Sequence, residues 1–285
     1  MKTPLIEEQN DSVRRLVREG YAKIAQENTA GCCGAGVSCC GSTPQEADKL
    51  ARELGYTIEE LQALPDGANM RLSCGNPAAL AALKPGEVVL DLGAGGGLDV
   101  FIAGRKVGAT GRAIGVDMTP DMLAKARGNV AHYRKETGLE NVEFRLGEIE
   151  HLPVAEHSVD AIISNCVINL SPDKAQVWRE MARVLKPGGR VAVSDMALLK
   201  PLPPEVLALV EARIGCVAGA VLVSETGRMA REAGLVDVVL QPKAGYVESL
   251  TDCEDPLYKK LIELLPAGTK PADYIASVEV TARKP

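Results

Sequence analysis

The stretch VVLDLGAGGGLDVF, residues 88–101, reads as a buried strand, a glycine turn and the start of a helix. Glycines at 93, 95, 96 and 97 let the backbone approach a ligand closely and adopt positive φ. Working outward, EVVLDL (87–92), RAIGVD (112–117), NVEFRLG (141–147), VDAIIS (159–164) and GRVAVSD (189–195) have the composition of strands. Amphipathic segments near 99–106, 121–136 and 173–185 alternate with them. That alternation predicts an α/β fold: a doubly wound, mostly parallel, Rossmann-like sheet with helices on both faces. Lys186-Pro187-Gly188-Gly189 is expected to end the last of these helices sharply.

The turn differs from the dinucleotide fingerprint G-x-G-x-x-G, which seats a pyrophosphate on a helix N-terminus. Asp91 precedes it and Asp99 stands where a phosphate would sit, so two carboxylates oppose an anion and suit a cation. Asp117 ends the next strand, placed for ribose hydroxyls. D-L-G-A-G-G-G-L-D, followed by VDMT and GEIEHLP (147–153), resembles the S-adenosylmethionine methyltransferase superfamily. The resemblance implies S-adenosylmethionine as cofactor, with Asp91, Gly93, Gly95, Asp117, Met118, Ile149, Glu150 and Asn165 around it. Glu148 stands where many such enzymes carry an Asp toward the adenine.

Bulk composition narrows the class. With 46% apolar residues in 285, the chain can bury a large core. A net charge of -6 argues against a nucleic-acid partner. No apolar run approaches a membrane span, and MKTPLIEEQNDS has no secretory signal, so a cytoplasmic location without membrane association is expected. Eight cysteines in such a chain are expected to serve as ligands or redox thiols rather than structural disulfides.

The placement of those cysteines carries the chemistry. In SNCVINLSPDK (164–174), Cys166 stands where a strand gives way to a loop, the edge where ligands bind in open α/β sheets. A single cysteine there could equally be a small buried hydrophobe. His132, His151 and His157 offer no catalytic base at that edge. LSCGNP (72–77), SNCVINLSPDK and RIGCVAGA (213–220), with VREGYAKIAQ, CC…CC and VDMTPDML, closely resemble the arsenite methyltransferases, from about Val17 to Val223.

That resemblance implies that Cys74, Cys166 and Cys216 bind trivalent arsenic as substrate. The substrates would be arsenite and methylarsenite, with thioredoxin or glutathione as reductant. The chemistry is consistent. Arsenic(III) is a soft centre that favours thiolates, and its lone pair is a nucleophile with no proton to remove. After transfer, two nearby thiols return arsenic to the trivalent state by closing a disulfide, for which Cys74 and a cysteine of the 32–40 loop are the expected pair. Cys32, Cys33, Cys39 and Cys40 are read as substrate capture and thiol relay, the first two as catalytic candidates; a zinc site of all four is the alternative. Cys253 matches no motif.

Three regions are expected: 1–75, helices and the cysteine loop; 76–198, the cofactor-binding core; 199–285, the arsenic-site and C-terminal region, in a monomer. The C-terminal region is read as two helices (203–215, 224–233) and two strands (235–241, 274–283) separated by an irregular stretch. The chain ends soon after its last strand, leaving the number of methyl transfers open. A methyltransferase of another small molecule would need no placed thiols. An arsenic-sequestering protein would need no glycine loop.

Overall fold

The computed structural model describes residues 4–27, 51–65, 67–70, 72–209, 216–243, 245–252 and 256–285. The strands are β1 (Val88–Leu92), β2 (Arg112–Asp117), β3 (Val142–Leu146), β4 (Val159–Asn165), β5 (Leu185–Leu198), β6 (Val236–Lys243) and β7 (Ile275–Arg283). They form one sheet in the order β3-β2-β1-β4-β5-β7-β6. The first five are parallel, and β7 runs antiparallel to both β5 and β6. The expected mostly parallel, doubly wound sheet is therefore observed, and the C-terminal strands complete it.

Alternation along β1 explains the two covered faces. Leu90 and Leu92 pack with Ile162, Val191 and Val193 against Trp178, Met181 and Val184 of α6 (Lys174–Val184). Val89, on the opposite face, packs with Ala161 and Ile163 against α4 (Leu98–Val107) and α5 (Pro120–Thr137), through Phe101, Val107, Leu123 and Tyr133. Strands buried on both faces read as unbroken apolar runs, which is why the sequence signal was strong here.

Before the sheet lie α1 (Pro4–Glu27), α2 (Ile58–Gln62) and α3 (Pro77–Leu80). The Thr57 capping box and the Asn76 cap form as their sequences require, Thr57 accepting from the Glu60 amide and Asn76 from that of Ala79. The capping box at Thr43 lies outside the described residues.

Beyond the sheet core, α7 (Pro204–Leu207) covers the start of the helix expected over 203–215, whose residues 210–215 lie outside the described residues, and α8 (Val223–Glu232) lies as expected. Two expectations are corrected. β5 begins at Leu185, directly after α6, and its ladder takes in the Lys186–Gly189 turn. The stretch read as irregular contains α9 (Tyr246–Asp252) and α10 (Pro256–Leu264). Leu257, Leu261 and Leu265 recur at helical spacing and are buried, a period the flanking Pro and Asp obscured. These leucines join Val17, Cys74, Met196, Cys216 and Ile275 in a third core, at the carboxyl end of β5.

Candidate functional site

A cleft opens at the carboxyl ends of β1, β2 and β4. Asp91, Gly93, Gly95, Asp117, Met118, Ile149, Glu150, Asn165 and Cys166 all line it, so every residue expected around the cofactor is brought to one place. Gly93 adopts φ 70°, and a Cβ there would collide with Val167, so the glycine turn touches the loop after Cys166.

Three buried carboxylates converge in this cleft. Burial, and then the charges of Asp99 and Asp117, push Asp91 well above the usual carboxylate range. Burial pushes Asp99 up to about 6, opposed by hydrogen bonds from Tyr56 and Asn165. Asp117 is raised by burial while accepting from the amides of Gly95 (2.9 Å) and Thr119 (2.8 Å). Among the described residues no lysine or arginine pairs with any of the three, although Arg14 lines the cleft and pairs instead with Glu148 and Glu150 (3.3 and 3.5 Å). A buried acid cluster without an internal cation is stabilised by a cationic ligand.

Two contributors were not legible in the sequence. Tyr56 donates to Asp99 at 2.8 Å from 43 residues away, with its own pKa raised by burial and by Asp99. Helix α1 supplies Arg14, Val17 and Tyr21 to the cleft. Nothing in the order of residues along this helix tells which surface it covers.

The thiols meet at the neighbouring rim. Asn165 is the junction: its Oδ1 accepts from the Cys74 amide (3.0 Å), and its Nδ2 donates to Gly75 O (2.9 Å) and Asp99 (3.2 Å). Ser277 Oγ donates to Cys74 O at 2.9 Å. So held, Cys74 and Cys166 are joined by a disulfide, with Cα atoms 6.1 Å apart. The expected redox pairing of Cys74 with the 32–40 loop falls on cysteines that, like Cys253, lie outside the described residues. Residues separated by 92 positions give no pairing signal in sequence.

Cys216 remains a buried thiol, its Sγ donating to the Cys166 carbonyl oxygen at 2.8 Å. With two sulfurs bonded to each other, no group of three or more His, Cys, Asp or Glu side chains among the described residues is disposed to hold a metal ion.

A methyltransferase-domain family model matches residues 83–234. The chain is 44% identical to an arsenite methyltransferase of Halobacterium salinarum, over all of this chain and 70% of that protein. It is 38% identical to an arsenite methyltransferase of Aquipseudomonas alcaligenes, over 78% of this chain and 61% of that one. Among solved structures it resembles an arsenic(III) S-adenosylmethionine methyltransferase from Chlamydomonas reinhardtii (TM-score 0.59, 32% identity, 85% of this chain and 74% of that chain). The S-adenosylmethionine complex of a Haemonchus contortus phosphoethanolamine N-methyltransferase shares the fold (TM-score 0.60, 18% identity, 75% of this chain and 53% of that chain). Among the described residues no helix is long and apolar enough to cross a membrane.

Proposed function

From the premise that this chain belongs to the arsenite methyltransferase family, we propose that it methylates trivalent arsenic held by the thiolates of Cys74, Cys166 and Cys216. S-adenosylmethionine is the cofactor, and when bound it supplies an electrophilic methyl group on a positively charged sulfur. The residues fit it. Asp91 and Asp99 would balance its cationic methionine end, Asp117 would accept from ribose hydroxyls, and Ile149 and Glu150 would lie toward the adenine. Val17 and Tyr21 of α1, with Leu170, add apolar side chains to the lining of the cleft.

The observation that carries the substrate reading is the meeting of three cysteines from distant segments at the rim of an acid-lined cleft, with Cys166 lining the cleft itself. Thiolate-bound arsenic presents a lone pair, so the protein needs no base and its task is positioning, where effective molarity contributes about 7–11 kcal/mol. Accepting a methyl raises arsenic formally to As(V). Two thiolates return its two electrons by forming an S–S bond, and arsenic is again trivalent. A dithiol such as thioredoxin, or two glutathiones, then reopens that bond, each S–S reduction consuming two electrons and two protons. The Cys74–Cys166 bond is the disulfide that such a reductant would open.

The test supplies reduced enzyme with arsenite and S-adenosylmethionine and identifies products by mass spectrometry. Methylated arsenic from the wild type, and none from Cys166→Ser or Cys216→Ser, supports the reading. Full activity in Cys166→Ser returns that cysteine to the role of a core residue.

A further inference from the structure

Two of the three site cysteines have backbones that non-glycine residues rarely adopt: Cys166 at φ 55° and Cys216 at φ 61°. Such conformations persist only where surrounding contacts over-determine them. What surrounds them traces back to the carboxyl end of β5. The carbonyl of Ser194 accepts the Cys166 amide at 2.8 Å. The next residue, Asp195, is buried and turns its carboxylate onto the residues that follow Cys166. It accepts from the amides of Ile168 (2.9 Å) and Asn169 (3.3 Å), from Asn169 Nδ2 (2.9 Å), and from the Met196 amide (2.8 Å).

The same turn bears on the third cysteine. Gly219, three residues beyond Cys216, lies so close that a Cβ there would collide with the Asn169 carbonyl oxygen. That oxygen is backbone, and Asp195 holds the same residue at its amide and its side chain. Ser194 also borders the Cys74 side: Cys74 Sγ lies 3.4 Å from its carbonyl oxygen, and a Cβ on Gly75 would collide with its hydroxyl.

We propose that Asp195 is a positioning residue for the arsenic site, clamping the 166–169 turn so that Cys166 holds its left-handed backbone and the Cys216 loop docks against Asn169. This rests on the assignment of the three cysteines as arsenic ligands. The carboxylate is suited to the task because it accepts from several donors at once, whereas an amide of the same shape accepts through one oxygen and presents N–H groups to N–H groups. Asp195 touches none of the three cleft acids and lines a separate small cavity, although Val167 of the turn it clamps abuts the Gly93 turn of the cofactor cleft.

The experiment loads pre-reduced enzyme with arsenite alone and reads the number of sulfurs around arsenic by X-ray absorption, with kinetics and cofactor calorimetry in parallel. Wild type should show three sulfurs. Asp195→Asn should show fewer, with kcat/KM for arsenite down about 10–100-fold, the range for outer partners of metal ligands, and a smaller loss of cofactor affinity. Gly219→Ala keeps the carboxylate and separates the two loops, so it should reproduce the loss of one sulfur even if Asp195→Asn fails to fold. Fewer than three sulfurs in the wild type, or three retained in Cys166→Ser, overturns the ligand assignment itself. Three sulfurs in the wild type with three sulfurs and wild-type kinetics in Gly219→Ala and any folded Asp195→Asn overturns the clamp alone.

Discussion

The acid side of the cleft comes from one strand–turn–helix–strand run, with Asp91, Gly95, Asp99 and Asp117 within the first two parallel strands and their connection. The thiol side gathers Cys74, Cys166 and Cys216 from segments 92 and 50 residues apart, by way of Asn165, Ser194, Asp195 and Ser277. The first can be built almost wherever that local run folds. The second exists only once β4, β5 and β7 are side by side.

The sharpest way to break this division is Cys74→Ser, in a single turnover of pre-reduced enzyme. Arsenite needs three thiolates, so its methylation should be lost. Monomethylarsenite already has one position filled by carbon, so two thiolates hold it and part of its methylation should remain. Equal loss on both substrates, measured by product mass spectrometry, would show that Cys74 does more than complete the arsenic shell.

A smaller effect is expected on the other side. Asp117→Ala should weaken S-adenosylmethionine binding by about 1.5–3 kcal/mol, the range for charge-assisted hydrogen bonds, and leave arsenite binding nearly unchanged. Calorimetry showing wild-type cofactor affinity would remove Asp117 from the cofactor's partners. Coupled losses of both ligands would show that the two halves are not separable.

The smallest expected effect is a pH dependence of opposite sign for stability and for binding. Asp99 is raised to about 6 from its ordinary value of 3.8, chiefly by burial. Its contribution to stability is therefore fully present below the unfolded value and is lost as pH rises through about 6. A cationic cofactor favours the ionised carboxylate, so affinity should rise with pH over the same window, by roughly tenfold from pH 5 to pH 7 for one such group. Asp99→Asn should flatten both trends. Calorimetry in buffers of different ionisation enthalpy should detect proton release on cofactor binding near pH 6 in the wild type only.

How much of this was legible varies residue by residue. Asp91, Asp99 and Asp117 could be placed because each stands at a strand end or turn that local sequence defines. Cys166 could be placed for the same reason, but Cys74 was placed only by resemblance. Asp195 closes GRVAVSD as Asp117 closes RAIGVD, so its position was readable. Its hydrogen bonds to the neighbouring turn were not. The helix at Pro256–Leu264 was missed because turn-forming residues next to it outweighed a leucine period that becomes decisive only when buried.

The sequence by itself determined the parallel sheet, its glycine turn, the acids that call for a cation, and the presence of cysteines at a ligand-binding edge. These follow from strand burial, backbone freedom and charge, which act over a few residues and leave a periodic or compositional trace. Only the tertiary structure decided that Cys74 meets Cys166, that Cys216 leans on the Cys166 carbonyl, that Tyr56 reaches Asp99, and that Asp195 holds the turn between the thiols. Those contacts are set by which strands lie side by side and how close their loops approach. Such distances have no counterpart in the order of residues along the chain.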